Sequence, residues 1–73
     1  MTVYEVWDWD PLASSMGEEY LADVYGESRD AEQEVEKRNK YWRAVFVKHH
    51  GEPQAKREPW AWNRARLQKR TVK

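Results

Sequence analysis

Residues 1–11 read MTVYEVWDWDP. The segment 2–9 is crowded with Val, Tyr and Trp, residues that suit a pleated, half-buried surface, and Pro11 cannot continue a hydrogen-bond ladder. It therefore reads as a strand. Side chains alternate across a strand, so Tyr4, Val6 and Asp8 would share one face and Val3, Glu5, Trp7 and Trp9 the other. Both faces carry apolar side chains. One is expected to pack on a core while the other meets a partner, because exposed aromatic surface of this kind marks interfaces.

Working outward, Ser15-Met16-Gly17-Glu18 has capping-box spacing and Gly26 suits a helix stop. A short helix between them would set Tyr20, Leu21, Val24 and Tyr25 against Glu18, Glu19 and Asp23. Ser28 or Asp30 can cap a second helix running to about Asn39, with Ala31 and Val35 facing inward. Glu34–Arg38 and Glu36–Lys40 support it as acid-to-base pairs four residues apart. The stretch 41–49, with Val45, Phe46 and Val47 at its centre, reads as a second strand closed by Gly51-Glu52-Pro53. The expected fold class is α+β: a small two- or three-stranded antiparallel sheet with one or two helices on one face. Residues 1–53 form the folded body, and residues 54–73 form a basic, Trp-containing tail. That tail is open to three outcomes: disorder, a short helix begun at Pro59, or a third strand.

Length and composition narrow the rest. A chain of 73 residues is at most one domain, burying only about 60% of its unfolded surface, so its core is thin. There is no cysteine, which removes disulfides and thiolate zinc sites and suits a reducing compartment. The start has neither a basic nor an apolar signal region, and no apolar run approaches a membrane span.

Net charge is zero but unevenly spread. Residues 1–36 hold eleven acids and one base, whereas residues 37–73 hold twelve bases and two acids. Asymmetry of this kind points to an acidic partner or nucleic acid. The plainer reading is mutual neutralisation within the fold. In the tail Lys56, Arg57, Arg64, Arg66, Lys69, Arg70 and Lys73 surround Trp60 and Trp62, a combination suited to phosphates and unpaired bases. The acidic front would repel a phosphate backbone unless it faced elsewhere. A two-ended adaptor satisfies both halves, with edge pairing by the first strand as one docking mode.

Catalytic and metal chemistry find no support. His49 and His50 are adjacent, so on a strand they diverge and cannot share a metal. Ser14, Ser15 and Ser28 sit where caps belong. Gly17, Gly26 and Gly51 are isolated and form no phosphate loop. No cofactor is expected, and neither is an enzyme.

The opening MTVYEVWDWDP, the body running through RAVFVKHH, the lack of cysteine and the basic tail together resemble the small host-RNA-polymerase-binding regulators of lytic Xanthomonas bacteriophage. The likeness lies in size and layout across the chain. It implies a monomer in the host bacterial cytoplasm that binds the N-terminal region of the largest RNA polymerase subunit. Such a protein inhibits initiation and promotes antitermination by obstructing the region where RNA leaves. It further implies that Tyr4, Glu5, Val6 and Trp7 face the polymerase and that residues 56–73 lie near nascent RNA. Two rival expectations remain: an anti-CRISPR-like protein whose acidic residues mimic DNA, and a small excisionase-type DNA-binding factor.

Overall fold

The computed structural model describes residues 1–72, and Lys73 lies outside them. Strand β1 (Thr2–Asp10) is followed by β2 (Glu18–Tyr25), the long helix α1 (Ser28–His50), a short helix α2 (Glu52–Arg57), a single 3-10 turn (Pro59–Ala61) and β3 (Arg66–Thr71). The strands form one antiparallel sheet in the order β2-β1-β3. Helix α1 lies across one face of this sheet, so the architecture is two-layered α+β, as expected. The envelope of 44 × 27 × 15 Å is one sheet and one helix thick. A 23-residue helix is about 35 Å long at 1.5 Å per residue, longer than the sheet it covers, so its C-terminal part overhangs.

Several elements differ from the sequence reading. Residues 18–25 form β2 rather than a helix. As the middle strand, β1 has backbone donors and acceptors on both edges, and β2 satisfies one row of them. Ser14 serves no helix: its Oγ accepts from the Met16 N–H at 3.4 Å and donates to the Gly17 carbonyl at 3.2 Å, shaping the turn between the strands. Gly17 completes that turn at φ +80°, a left-handed conformation that glycine adopts without penalty.

Residues 41–49 continue α1 instead of starting a strand. No Gly or Pro interrupts the chain between Gly26 and Gly51. Once a helix is nucleated, extension adds one hydrogen bond per residue fixed, which outweighs the β-preference of Val45, Phe46 and Val47. Ala31, Val35, Trp42, Val45 and Phe46 then recur at helical spacing. Ser28 is the first helical residue and not the cap: Glu27 holds that position and makes no side-chain cap bond. Gly51, at φ +90°, donates its N–H to the Val47 carbonyl at 2.9 Å and lets α2 fold back.

Of the outcomes open to the tail, two are realised: a short 3-10 helix begins at Pro59, and a third strand follows it. Residues 66–71 pair with β1 from Trp7↔Arg66 to Thr2↔Thr71. The ends are tied as well: the Met1 ammonium donates to the Val72 carbonyl at 2.9 Å, and the Val72 N–H donates to the Met1 carbonyl at 2.7 Å. With β2 along residues 4–10 on one side and β3 along residues 2–7 on the other, β1 is the central strand and neither of its edges is free along its length. Edge pairing by residues 2–9 is therefore ruled out, and the exposed edges belong to β2 and β3.

The core is small. Val6, Ala31, Ala55 and Ala65 are its buried apolar residues, and only Val6 among them is large. Polar clasps supplement it. The buried Asn39 side chain donates to the Ala65 carbonyl at 3.1 Å and accepts the Ala65 N–H at 2.7 Å, joining α1 to the entrance of β3. Asp8, 5% exposed, accepts from Trp42 Nε1 at 2.8 Å, Arg38 Nη1 at 2.9 Å and the Trp9 N–H at 2.7 Å. A buried carboxylate is tolerated when its oxygens are filled in this way.

Candidate interaction surfaces

Two surfaces stand out, and the sheet's open face is the first. Residues directly opposite in an antiparallel pair share a face. Pairing of Trp7 with Leu21 and Arg66, and of Glu5 with Val24 and Gln68, therefore sets these side chains together on the side away from α1. The register slips between Val6 and Trp7, skipping Ala22 on β2. This bulge is why Leu21 and Val24, which strict alternation would put on opposite faces, both stand on the open one. Each is exposed.

Charged side chains knit this face across all three strands. Glu5 accepts from Trp7 Nε1 at 3.2 Å and pairs with Arg70 Nε at 3.0 Å. Arg66 reaches across β1 to hold Glu19 in a bidentate grip, both contacts at 2.7 Å. Its guanidinium lies 5.4 Å from the Trp7 ring centre, within cation–π range. The Arg66 hydrogen bonds hold the Glu19 carboxyl below the usual carboxylate range against the opposing effect of desolvation, and they raise Arg66 in turn. The result is a charge-balanced, aromatic and aliphatic face with no helix over it.

Of the residues expected to meet a partner, Glu5 and Trp7 belong to this face, but Glu5 is itself buried by its contacts with Trp7 and Arg70. Tyr4 and Val6 alternate to the helix side, and Val6 is fully buried. Val6 therefore cannot touch a partner and acts by holding the two layers together. The bulge brings in Leu21 and Val24 instead, which sequence reasoning had placed on a helix. The loop between β1 and β2 adds Leu12 and Met16, 91% and 86% exposed, and these had also gone unread.

The second surface lies at the overhanging end of α1. Trp9, Pro11, Trp42, Phe46, His49, His50, Ala61 and Arg64 line a cleft of about 160 Å³. The Arg64 guanidinium sits between two indoles, 5.5 Å from the Trp9 ring centre and 5.8 Å from that of Trp42. Phe46 and His50 lie 4.5 Å apart, centre to centre. Trp60, beside Ala61 on the 3-10 turn, is 71% exposed. Trp62 is anchored by contrast: its Nε1 donates to the Ala55 carbonyl at 2.8 Å, and Arg43 lies over its ring while also pairing with Glu52.

The tail bases therefore divide. Arg66 and Arg70 are paired with acids of the front half, as the neutralisation reading anticipates. Lys56, Arg57, Arg64 and Lys69 are exposed and form no ion pair among the described residues. Lys73 lies outside those residues. His49 and His50 close α1 rather than a strand, and among the described residues no three potential metal-ligating side chains converge. Among the described residues no helix is long and apolar enough to cross a membrane.

The fold and these surfaces define a small two-layer α+β protein whose recognisable features are open faces. No protein-family model, no curated protein and no solved structure matches the chain.

Proposed function

We propose that this protein is a phage-encoded transcription regulator that docks on host bacterial RNA polymerase without chemistry of its own. It works as a monomer in the host cytoplasm, against the N-terminal region of the largest subunit. By bulk and charge near the RNA exit region it inhibits initiation and promotes antitermination. The observation that carries the docking part is the uncovered face around Trp7, Leu21 and Val24. An aromatic residue set among aliphatic ones and rimmed by arginine–carboxylate pairs has the make-up of a protein interface with an apolar centre and a polar rim. The choice of polymerase rests on the resemblance in size and layout to the phage regulators.

The test is co-elution of the purified protein with purified bacterial RNA polymerase on gel filtration. Val24→Glu, which places an unpaired charge on an exposed position of the face, should abolish co-elution while leaving the fold intact. If wild type and variant both elute alone, the reading fails. A second reading has one observation in its favour. Glu18 and Asp23 on β2, Glu27 at the cap of α1, and Asp30, Glu32 and Glu36 in its first half are exposed and form no ion pair among the described residues. An anti-CRISPR-like protein imitating DNA would use that side. It would compete with DNA for a nuclease complex and leave polymerase alone.

A further inference from the structure

We infer that the overhanging end of α1 is a binding site for single-stranded nucleic acid, built on Arg64 and Trp60. This extends the polymerase reading without depending on it, since the residues are separate from the sheet face.

Arg64 carries the argument. Arg64 is exposed, its guanidinium donates no hydrogen bond to any described residue and pairs with no described carboxylate, yet it lies over the Trp9 and Trp42 rings at 5.5 and 5.8 Å from their centres. A guanidinium attracted to two aromatic rings loses part of its freedom while its N–H donors stay unused. It can therefore grip a phosphate bidentately with little further loss of side-chain freedom. Structural arginines elsewhere in this fold, Arg38, Arg66 and Arg70, each have a carboxylate. Arg64 has none, so its charge is left for an external anion.

The surroundings match the rest of a nucleotide strand. Trp60 stands clear of the fold with its ring free to stack on a base, and Phe46 and His50 add aromatic surface in the adjoining cleft. Of the two acids that flank Trp9 in sequence, Asp8 is paired with Arg38 at 2.9 Å and Asp10 accepts the Leu12 N–H at 2.9 Å. Cations that follow the backbone, combined with an exposed aromatic for stacking, favour unpaired strands over duplex, in which bases are already stacked.

Fluorescence anisotropy of labelled oligo-uridylate, oligo-thymidylate and duplex DNA, each about 12 units long, reads this directly. Both single strands should bind more tightly than the duplex, and the two arms distinguish RNA from DNA preference. Raising salt from about 50 to about 200 mM should weaken binding roughly 7- to 18-fold, the effect of two to three neutralised phosphates. Trp60→Ala should weaken it about tenfold through lost stacking. Arg64→Gln should weaken it and lower the salt slope by about one phosphate. Trp60 is exposed, so its variant keeps the fold, which an unchanged thermal transition would verify. Absence of binding at low salt, equal binding to duplex, or unaltered binding by both variants would overturn the inference. A protein that binds oligonucleotides but ignores polymerase would sink only the preceding proposal.

Discussion

The side-chain amide of Asn39 and the backbone of Ala65 exchange two hydrogen bonds inside the protein, at 3.1 and 2.7 Å. The amide takes the place of a neighbouring strand at the point where the chain turns into β3. Few apolar side chains are buried, so this polar clasp does part of the work a larger core would do. Asn39→Ala strands a buried donor and acceptor and should destabilise by about 2 kcal/mol. Asn39→Asp keeps an acceptor but loses the donor. Urea unfolding measures both, and a loss well under 1 kcal/mol for the alanine variant would mean the clasp is idle.

Asp8 is the second polar hub. Asp8→Ala removes the acceptor for Trp42 Nε1 and the ionic partner of Arg38. Arg38 stays charged in spite of desolvation because Asp8, Tyr20 and Glu34 stabilise it. Its Nε is buried without a hydrogen bond, 3.6 Å from Glu34, so it has little in reserve. The expected cost is about 3 kcal/mol. A large shift of the Trp42 indole proton should accompany it in the NMR spectrum.

Gly17 tolerates no side chain. A Cβ there would meet Trp9 Nε1 at 2.5 Å, on a backbone already at φ +80°. Gly17→Ala should displace the Trp9 indole and loosen its contact with Arg64, seen as a change in tryptophan fluorescence together with a lower melting temperature.

Acid should weaken the fold. The carboxyls of Glu19 and Glu52 are depressed chiefly by hydrogen bonds from Arg66 and Arg43. A folded-state pKa below the unfolded one gives stability that is present above the ordinary carboxylate range and lost as pH falls through the folded value. Both groups are solvent-exposed, so the effect is small and shrinks with salt. Thermal melts at falling pH should show a decline that Glu19→Gln makes shallower, and identical profiles would count against the Arg66–Glu19 link.

Removing residues 64–73 takes away β3 and half the hydrogen-bonding partners of β1. The remaining chain should lose cooperative unfolding, as followed by circular dichroism. A fragment that still melted sharply would show that β1 and β2 suffice beneath α1.

Part of this architecture is legible in the residues themselves. The Val-, Tyr- and Trp-rich opening announces a strand, and Ala31, Val35 and the Glu34–Arg38 pair announce the first half of α1, because these signals are local. β2 is hidden because its bulge at Ala22 breaks the alternation that marks a strand. β3 is hidden because it is an edge with a mainly polar sequence, RLQKRT. The second half of α1 looks like a strand because Val45, Phe46 and Val47 carry β-propensity that only helix continuity overrides.

The candidate surfaces follow the same division. Composition alone determines that acids crowd the first half of the chain, that bases and tryptophans crowd the second, and that cysteine chemistry is absent. Which charges neutralise one another is decided only by folding. Glu5 meets Arg70 and Glu19 meets Arg66 because β3 returns beside β1, 59 to 69 residues along the chain. Arg64 pairs with no carboxylate among the described residues and lies instead over the Trp9 and Trp42 rings. Coulomb attraction acts through space over a few ångströms, so a linear count of charges cannot say which of them remain for a partner.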